Sequence, residues 1–190
     1  MTRRYLLTAT LVLAWLLVIA AGRFLLLEYQ SDPDVVRYVP WPVRDESMVE
    51  EAITKAMAQT EFDQQGDYLS LAMVRKSDGR VLGQMHAMYV SEQNECFEIG
   101  YVVNPRFSRQ GFATEASGSL VSAIFDTNRF RRVIAKFDER NVASRAVVER
   151  LGFRQEAHFR DDARFKGEWV STVLFAILRD EWRQNKKSSD

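Results

Sequence analysis

The chain has 190 residues, 46% hydrophobic and 12% aromatic, which excludes a disordered polypeptide and supplies one domain with one sizeable core. Lys plus Arg and Asp plus Glu balance at 26 each, so no global charge argues for nucleic acid as a partner. The single cysteine, Cys96, rules out an intrachain disulfide and a cysteine-rich metal site, and at a strand entrance it reads as packing rather than as a nucleophile.

In chain order, the first stretch is uncharged from Tyr5 to Gly22 and dense in Leu, with Arg3 and Arg4 ahead of it and Ala20-Ala21-Gly22 behind. That is the three-part pattern of a signal peptide, and it is just short of the roughly 20 residues a membrane helix needs. Leu11, Leu13 and Trp15 also alternate as a strand would, with Phe24 to Tyr29 ending a helix, so residues 5–22 are either core or membrane segment. Basic residues on both sides (Arg3 and Arg4; Arg23 and Arg37) leave the orientation rule undecided. Tyr38 to Pro42 is an extended turn, and Asp45 to Ala58 has helical spacing, with Val49, Ile53, Ala56 and Met57 on one face. Tyr68 to Arg75 and Arg80 to Val90 read as strands joined through Asp78-Gly79, a hairpin turn signal. His86 has no second His or Cys at ligand spacing and reads as a packed or partly exposed histidine.

Phe97 to Val103 is a β-branched and aromatic strand stopped by Asn104-Pro105. A polar turn, Ser108 to Ala113, leads into helical spacing from Thr114, with Ala116, Leu120 and Ile124 on one face. A strand, a glycine turn and a helix start leave several backbone N–H groups aimed at one spot, a site for an anion such as a phosphate. Gly111 permits close backbone approach and Arg109 adds a charge, although an ordinary βα turn has the same local look. Arg131 to Phe137 is a further strand. A helix follows it from Asn141, as N-cap, through Ser144 in its first turn to Leu151, where Gly152 stops it. Arg154 to Phe165 and Trp169 to Leu178 form a closing hairpin, and residues 183–190 read as a frayed tail.

The run Glu98-Ile99-Gly100-Tyr101 followed by Gly111-Phe112-Ala113-Thr114-Glu115-Ala116 resembles the GNAT superfamily of N-acetyltransferases, in particular the branch that acetylates ribosomal-protein N-termini on alanine or serine. Gly111 and Ala113 match the last two fixed positions of that family's loop, Gln/Arg-x-x-Gly-x-Gly/Ala, while Ser108 stands where Gln or Arg is usual. Asn141, Ser144 and Leu151-Gly152-Phe153 resemble its second signature, and the likeness runs from about Ser31 to Trp182. It implies a mixed α/β (α+β) acyl-CoA N-acyltransferase fold: a twisted, mostly antiparallel central sheet with splayed central strands and helices on both faces. A strand and helix precede the Ser31-Asp32-Pro33-Asp34 turn in that family, which favours residues 1–30 as part of the domain.

The resemblance further implies acetyl-CoA as co-substrate, no metal, and an amine acceptor, either a peptide N-terminus or a small molecule. It implies cofactor contacts from Val103, Ser108, Arg109, Gln110, Gly111, Phe112, Ala113, Thr114, Asn141 and Ser144, with a backbone N–H near Val103 on the acetyl carbonyl. Glu98, mid-strand among apolar neighbours, is the candidate general base, because burial raises a carboxyl pKa towards working pH. Many relatives place a tyrosine acid where this chain has Val148, so Ser144 is the remaining hydroxyl near the sulfur. A catalytically silent acetyl-CoA sensor and a membrane-tethered module stay open as alternatives. The expected location is the cytoplasm, or the inner membrane with the catalytic domain on its cytoplasmic side, and the expected assembly a monomer or homodimer.

Overall fold

A computed structural model of the protein describes residues 6–7, 11–14, 22–59 and 62–187. The elements are β1 (Leu6–Leu7), β2 (Leu11–Ala14), α1 (Gly22–Gln30), α2 (Pro33–Val36), α3 (Glu46–Ala58), β3 (Tyr68–Arg75), β4 (Val81–Ser91) and β5 (Cys96–Val103). They continue with a 3₁₀ turn (Pro105–Phe107), α4 (Phe112–Asp126), β6 (Arg132–Asp138), α5 (Val142–Arg150), β7 (Arg154–Phe165), β8 (Glu168–Leu178) and α6 (Arg179–Lys187). Of the apolar run at 5–22, Leu11–Ala14 pairs antiparallel with β3, while residues 15–21 lie outside the described residues. Among the described residues no helix is long and apolar enough to cross a membrane.

Local chemistry sets the helix starts. The Asp32 carboxylate accepts from Asp34 N–H with Pro33 at the first helical position, and the Asp45 carboxylate accepts from Met48 N–H at 2.9 Å. The β7–β8 turn uses Lys166 at φ 49° and Gly167 at φ 89°, two consecutive left-handed residues, as a twisted hairpin requires. Where the sequence reads as a frayed tail from residue 183, the chain stays helical through Lys187, because Trp182 is buried in the core and anchors α6.

One eight-stranded sheet runs β1-β2-β3-β4-β5-β6-β8-β7, and every neighbouring pair is antiparallel except β5–β6. Residues in register share a face. Phe97 and Ile99 of β5, Met85 and Ala87 of β4 and Val133 and Ala135 of β6 join Ala116, Leu120, Val121 and Phe125 of α4 and Val147 and Val148 of α5 in the main core. On the opposite face Val102 packs with Leu26 and Tyr29 of α1 and Val49 of α3.

Candidate active site

The site begins where the two parallel strands part. Pairing between β5 and β6 covers Cys96↔Arg132, Phe97↔Val133 and Glu98↔Ile134, and stops there, although β5 continues to Val103 and β6 to Asp138. Beyond Glu98 the two strands present facing backbone edges that do not pair with one another, so the seam opens as a V. Because the strands are parallel, both carboxyl ends lie at the mouth of the V, and α4 and α5 both start from it. Ligands of parallel seams bind outside such carboxyl ends.

Glu98 sits at the apex. Its register partners Met88 and Ile134 put it on the α1/α3 face, not among the α4 core residues. Its side chain is 19% exposed and lies 3.4 Å from the Lys136 ammonium, which is 41% exposed. Desolvation raises the Glu98 pKa, and Lys136 pulls against that rise. The sequence left open whether Glu98 faces bulk water; it is largely withdrawn from water and paired.

At the mouth, Arg109 (φ 60°) and Gly111 (φ 87°) are both left-handed, and Gly111 is the N-cap of α4 without any side-chain cap. The first-turn N–H groups of Phe112, Ala113 and Thr114 therefore point out of the helix end towards the loop. Around the position of a Gly111 Cβ there is no heavy atom within 4 Å, so the glycine is required by its backbone conformation and leaves open space. Ser108, Arg109 and Gln110 are exposed, and the Gln110 amide donates to Arg106 O at 3.3 Å. The helix starts two residues earlier than the periodicity predicts, at Phe112, because Phe112 and Ala113 pack on the core.

On the β6 side of the mouth, Asn141 caps α5 by accepting from Ser144 N–H at 3.0 Å. The Tyr101 hydroxyl, on β5, donates across the V to Ser144 O at 3.0 Å, and burial raises its pKa, so it keeps its proton. Val148 is fully buried in the core, which leaves no hydroxyl at that position. In the motif Glu98-Ile99-Gly100-Tyr101 nothing marks Tyr101 as a bridge, because that role depends on the distance from β5 to α5, which sequence does not contain. Cys96 lies at the closed end, buried, with its thiol pKa raised by desolvation.

A second feature, with no sequence signal, lies on the α1/α3 face: a cleft of about 320 Å³ lined by residues that include Gln30, Trp41, Arg44, Tyr68, Gln84 and His86. Its polar groups form one directed chain. Arg44 Nη1 donates to Gln30 Oε1 at 2.8 Å, Gln30 Nε2 donates to Gln84 Oε1 at 2.7 Å, and Tyr29 OH donates to the same oxygen at 3.0 Å. Guanidinium cannot accept, so the direction of every later bond follows. Gln84 Nε2 then donates to His86 Nε2 at 2.8 Å, which leaves the imidazole proton on Nδ1, beside Ser70 Oγ at 3.1 Å and the Tyr68 hydroxyl. Desolvation, aided by the positive Arg44, lowers the His86 pKa to about 4, so the ring is neutral. Among the described residues no cluster of His, Cys, Asp or Glu could hold a metal ion.

The fold is shared with known proteins. The GNAT-family acetyltransferase of Bacillus anthracis superposes with a TM-score of 0.83 at 24% identity, covering 94% of this chain and all (100%) of that one. The architecture is thus the acyl-CoA N-acyltransferase fold, a mixed α/β sheet with a splayed parallel seam. The family description "Acetyltransferase (GNAT) domain" matches residues 21–154, and the chain belongs to that family as an N-acetyltransferase. The uncharacterized N-acetyltransferase YnaD of Bacillus subtilis is 27% identical over 82% of this chain and 86% of its own length. YdaF of the same organism, named provisionally as a ribosomal N-acetyltransferase, is 31% identical over 57% of this chain and 60% of its own.

Proposed function

We propose that this chain transfers the acetyl group of acetyl-CoA directly to a primary amine within a ternary complex. The observation that carries this reading is the V between β5 and β6, with the Glu98 carboxylate at its apex and the uncapped start of α4 at its mouth. The pyrophosphate fits the loop from Ser108 to Thr114, where backbone N–H groups and the helix dipole favour an anion. The pantetheine arm fits the unpaired edges, with Asn141 and Ser144 on the α5 side. A backbone N–H near Val103 would donate to the thioester oxygen, an oxyanion role that needs no particular side chain.

In the reaction the amine nitrogen attacks the carbonyl carbon, the C–S bond breaks, and coenzyme A leaves as the thiol. The amine proton passes through water to Glu98, and a proton reaches the sulfur from the Ser144 side of the V. Desolvation suits Glu98 to this work, because a carboxylate with a raised pKa is a stronger base. Direct transfer is supported by Cys96, whose protonated, buried thiol is a poor nucleophile at the closed end of the seam. Initial-rate kinetics test the reading: intersecting double-reciprocal lines are expected, and Cys96→Ala should be near neutral. Parallel lines, or an acetylated Cys96 in the mass spectrum, would replace direct transfer by a two-step mechanism. Acetyl-CoA binding without turnover on a panel of amines and peptides would leave a sensor instead.

A further inference from the structure

We propose that the cleft between α1, α3 and the β3–β4 side of the sheet holds the acceptor, and that this acceptor is a small amine with an apolar body and one carboxylate, clamped by Arg44. The inference rests on the acetyl-transfer reading above and specifies its second substrate.

The argument starts from hydrogen-bonding capacity. Arg44 is half-buried, and its backbone N–H donates to Gln30 O at 3.0 Å while Nη1 donates to Gln30 Oε1 at 2.8 Å. Its guanidinium lies 4.8 Å from the centroid of Trp41. Among the described residues no carboxylate pairs with it: Glu51 acts only through space and is itself held by Lys55 at 2.6 Å. A half-buried cation with one arm satisfied by a neutral amide retains donors for a planar bidentate acceptor. The Trp41 Nε1–H is buried and has no hydrogen-bond partner among the described residues. Within the network Gln30 Oε1 accepts from Arg44, Gln84 Oε1 from Tyr29 and Gln30, and His86 Nε2 from Gln84. What remains on Arg44 is all donor. Such a site selects a ligand rich in acceptors, and an anion there gains a charge-assisted pair that a neutral acceptor does not give.

The charge count favours a carboxylate over a phosphate. One guanidinium offsets one negative charge, and Lys55 at the rim is already neutralised by Glu51. The rest of the lining, Leu26, Ile53, Ala56, Met57 and Leu71, suits an apolar body.

Register connects this cleft to the apex of the V. Ser70, His86 and Gly100 lie in one row across β3, β4 and β5, on the face that carries Glu98. Gly100 has no side chain, so that row carries nothing between His86 and the open edge of β5, and a Cβ there would touch His86 Cβ at 3.7 Å. A ligand anchored at Arg44 can extend over Gly100, and its amine arrives one strand alternation from Glu98. Neutral His86, held by the chain from Arg44, lines that path without repelling the amine.

Calorimetry in the presence of coenzyme A tests this with product-like probes in which an apolar body separates the two ends: N-acetyl-4-(aminomethyl)benzoate, its carboxamide, and phenyl phosphate. The carboxylate should bind the wild-type protein at least about tenfold more tightly than the amide, the scale of one charge-assisted pair. Arg44→Gln should bring the two within about twofold, Arg44→Lys should restore part of the preference, and Arg37→Gln, an exposed arginine paired to Asp34, should leave it unchanged. Acetyl transfer to 4-(aminomethyl)benzoate against 4-(aminomethyl)benzamide should follow the same order in kcat/KM. Equal binding of acid and amide, a preference that survives Arg44→Gln, or tighter binding of phenyl phosphate each overturns the proposal. If acetyl-CoA neither binds nor turns over, the functional reading fails, and the acid-against-amide comparison without coenzyme still decides the cleft.

Discussion

The two sides of the β4–β5 region are built by opposite means. At the mouth of the V the proposed cofactor contacts are backbone: an uncapped helix start, left-handed Arg109 and Gly111, and strand edges without partners. On the α1/α3 face the proposed acceptor contacts are side chains, a directed chain from Arg44 through Gln30 and Gln84 to His86. A backbone site recognises what every acyl-CoA shares and needs only a few contiguous residues of permissive shape. A side-chain site selects one partner and can draw its groups from anywhere in the chain.

The largest effect expected from breaking this division is at the apex where the two sides meet. Glu98→Gln should lower kcat by on the order of 10²-fold or more, the usual scale of a general base, while leaving acetyl-CoA affinity within about twofold. The variant is read by steady-state kinetics and calorimetry together; a lost cofactor affinity with intact kcat would move Glu98 from chemistry to binding.

Next comes the stability held in the side-chain face. The His86 pKa is depressed in the folded state from 6.5 to about 4, so its contribution is fully present above pH 6.5 and is lost as pH falls through about 4. The loss should be on the order of 3 kcal/mol, and His86→Gln should flatten that limb of the urea-unfolding profile. An unchanged acid limb in the variant would remove His86 from the network's energetics.

The backbone side should respond to shape rather than charge. Gly111→Val puts a β-branched residue at φ 87° and should weaken acetyl-CoA binding by roughly tenfold or more. Arg109→Ala, which removes one exposed charge, should cost less than about threefold. Equal losses in calorimetry would make the loop a charge site after all.

Two smaller changes sharpen the picture. Tyr101→Phe removes the bridge to Ser144 O and should cost about 1 kcal/mol of stability by denaturant titration. Lys136→Met removes the group that holds the Glu98 pKa down, so the acid limb of the rate profile should move to higher pH. Because Lys136 is partly exposed and screened by water, the shift is expected to be small, and a shift to lower pH would contradict the pairing.

By itself the sequence determined the local matters. Alternation in Phe97–Val103, the Asn104-Pro105 stop, Gly111 at the helix entrance and Asn141 as a cap each follow from a residue's own shape or its bonds to near neighbours. These features are contiguous in the chain, so the mouth of the V was legible there. Glu98 could be named, but not the face it takes, because that depends on the register with Met88 and Ile134. Only the tertiary structure decided that Val148 is core, that Trp182 carries a helix past Arg183, and that Gln30, Arg44, Gln84 and His86 form one network, in which Gln30 and Gln84 bond across 54 positions of sequence. The physical reason is that hydrogen bonds between distant side chains leave no periodicity and demand no special backbone angle. They exist only once α1 and the sheet have packed, when burial makes every unpaired polar group costly and so fixes which atom must face which.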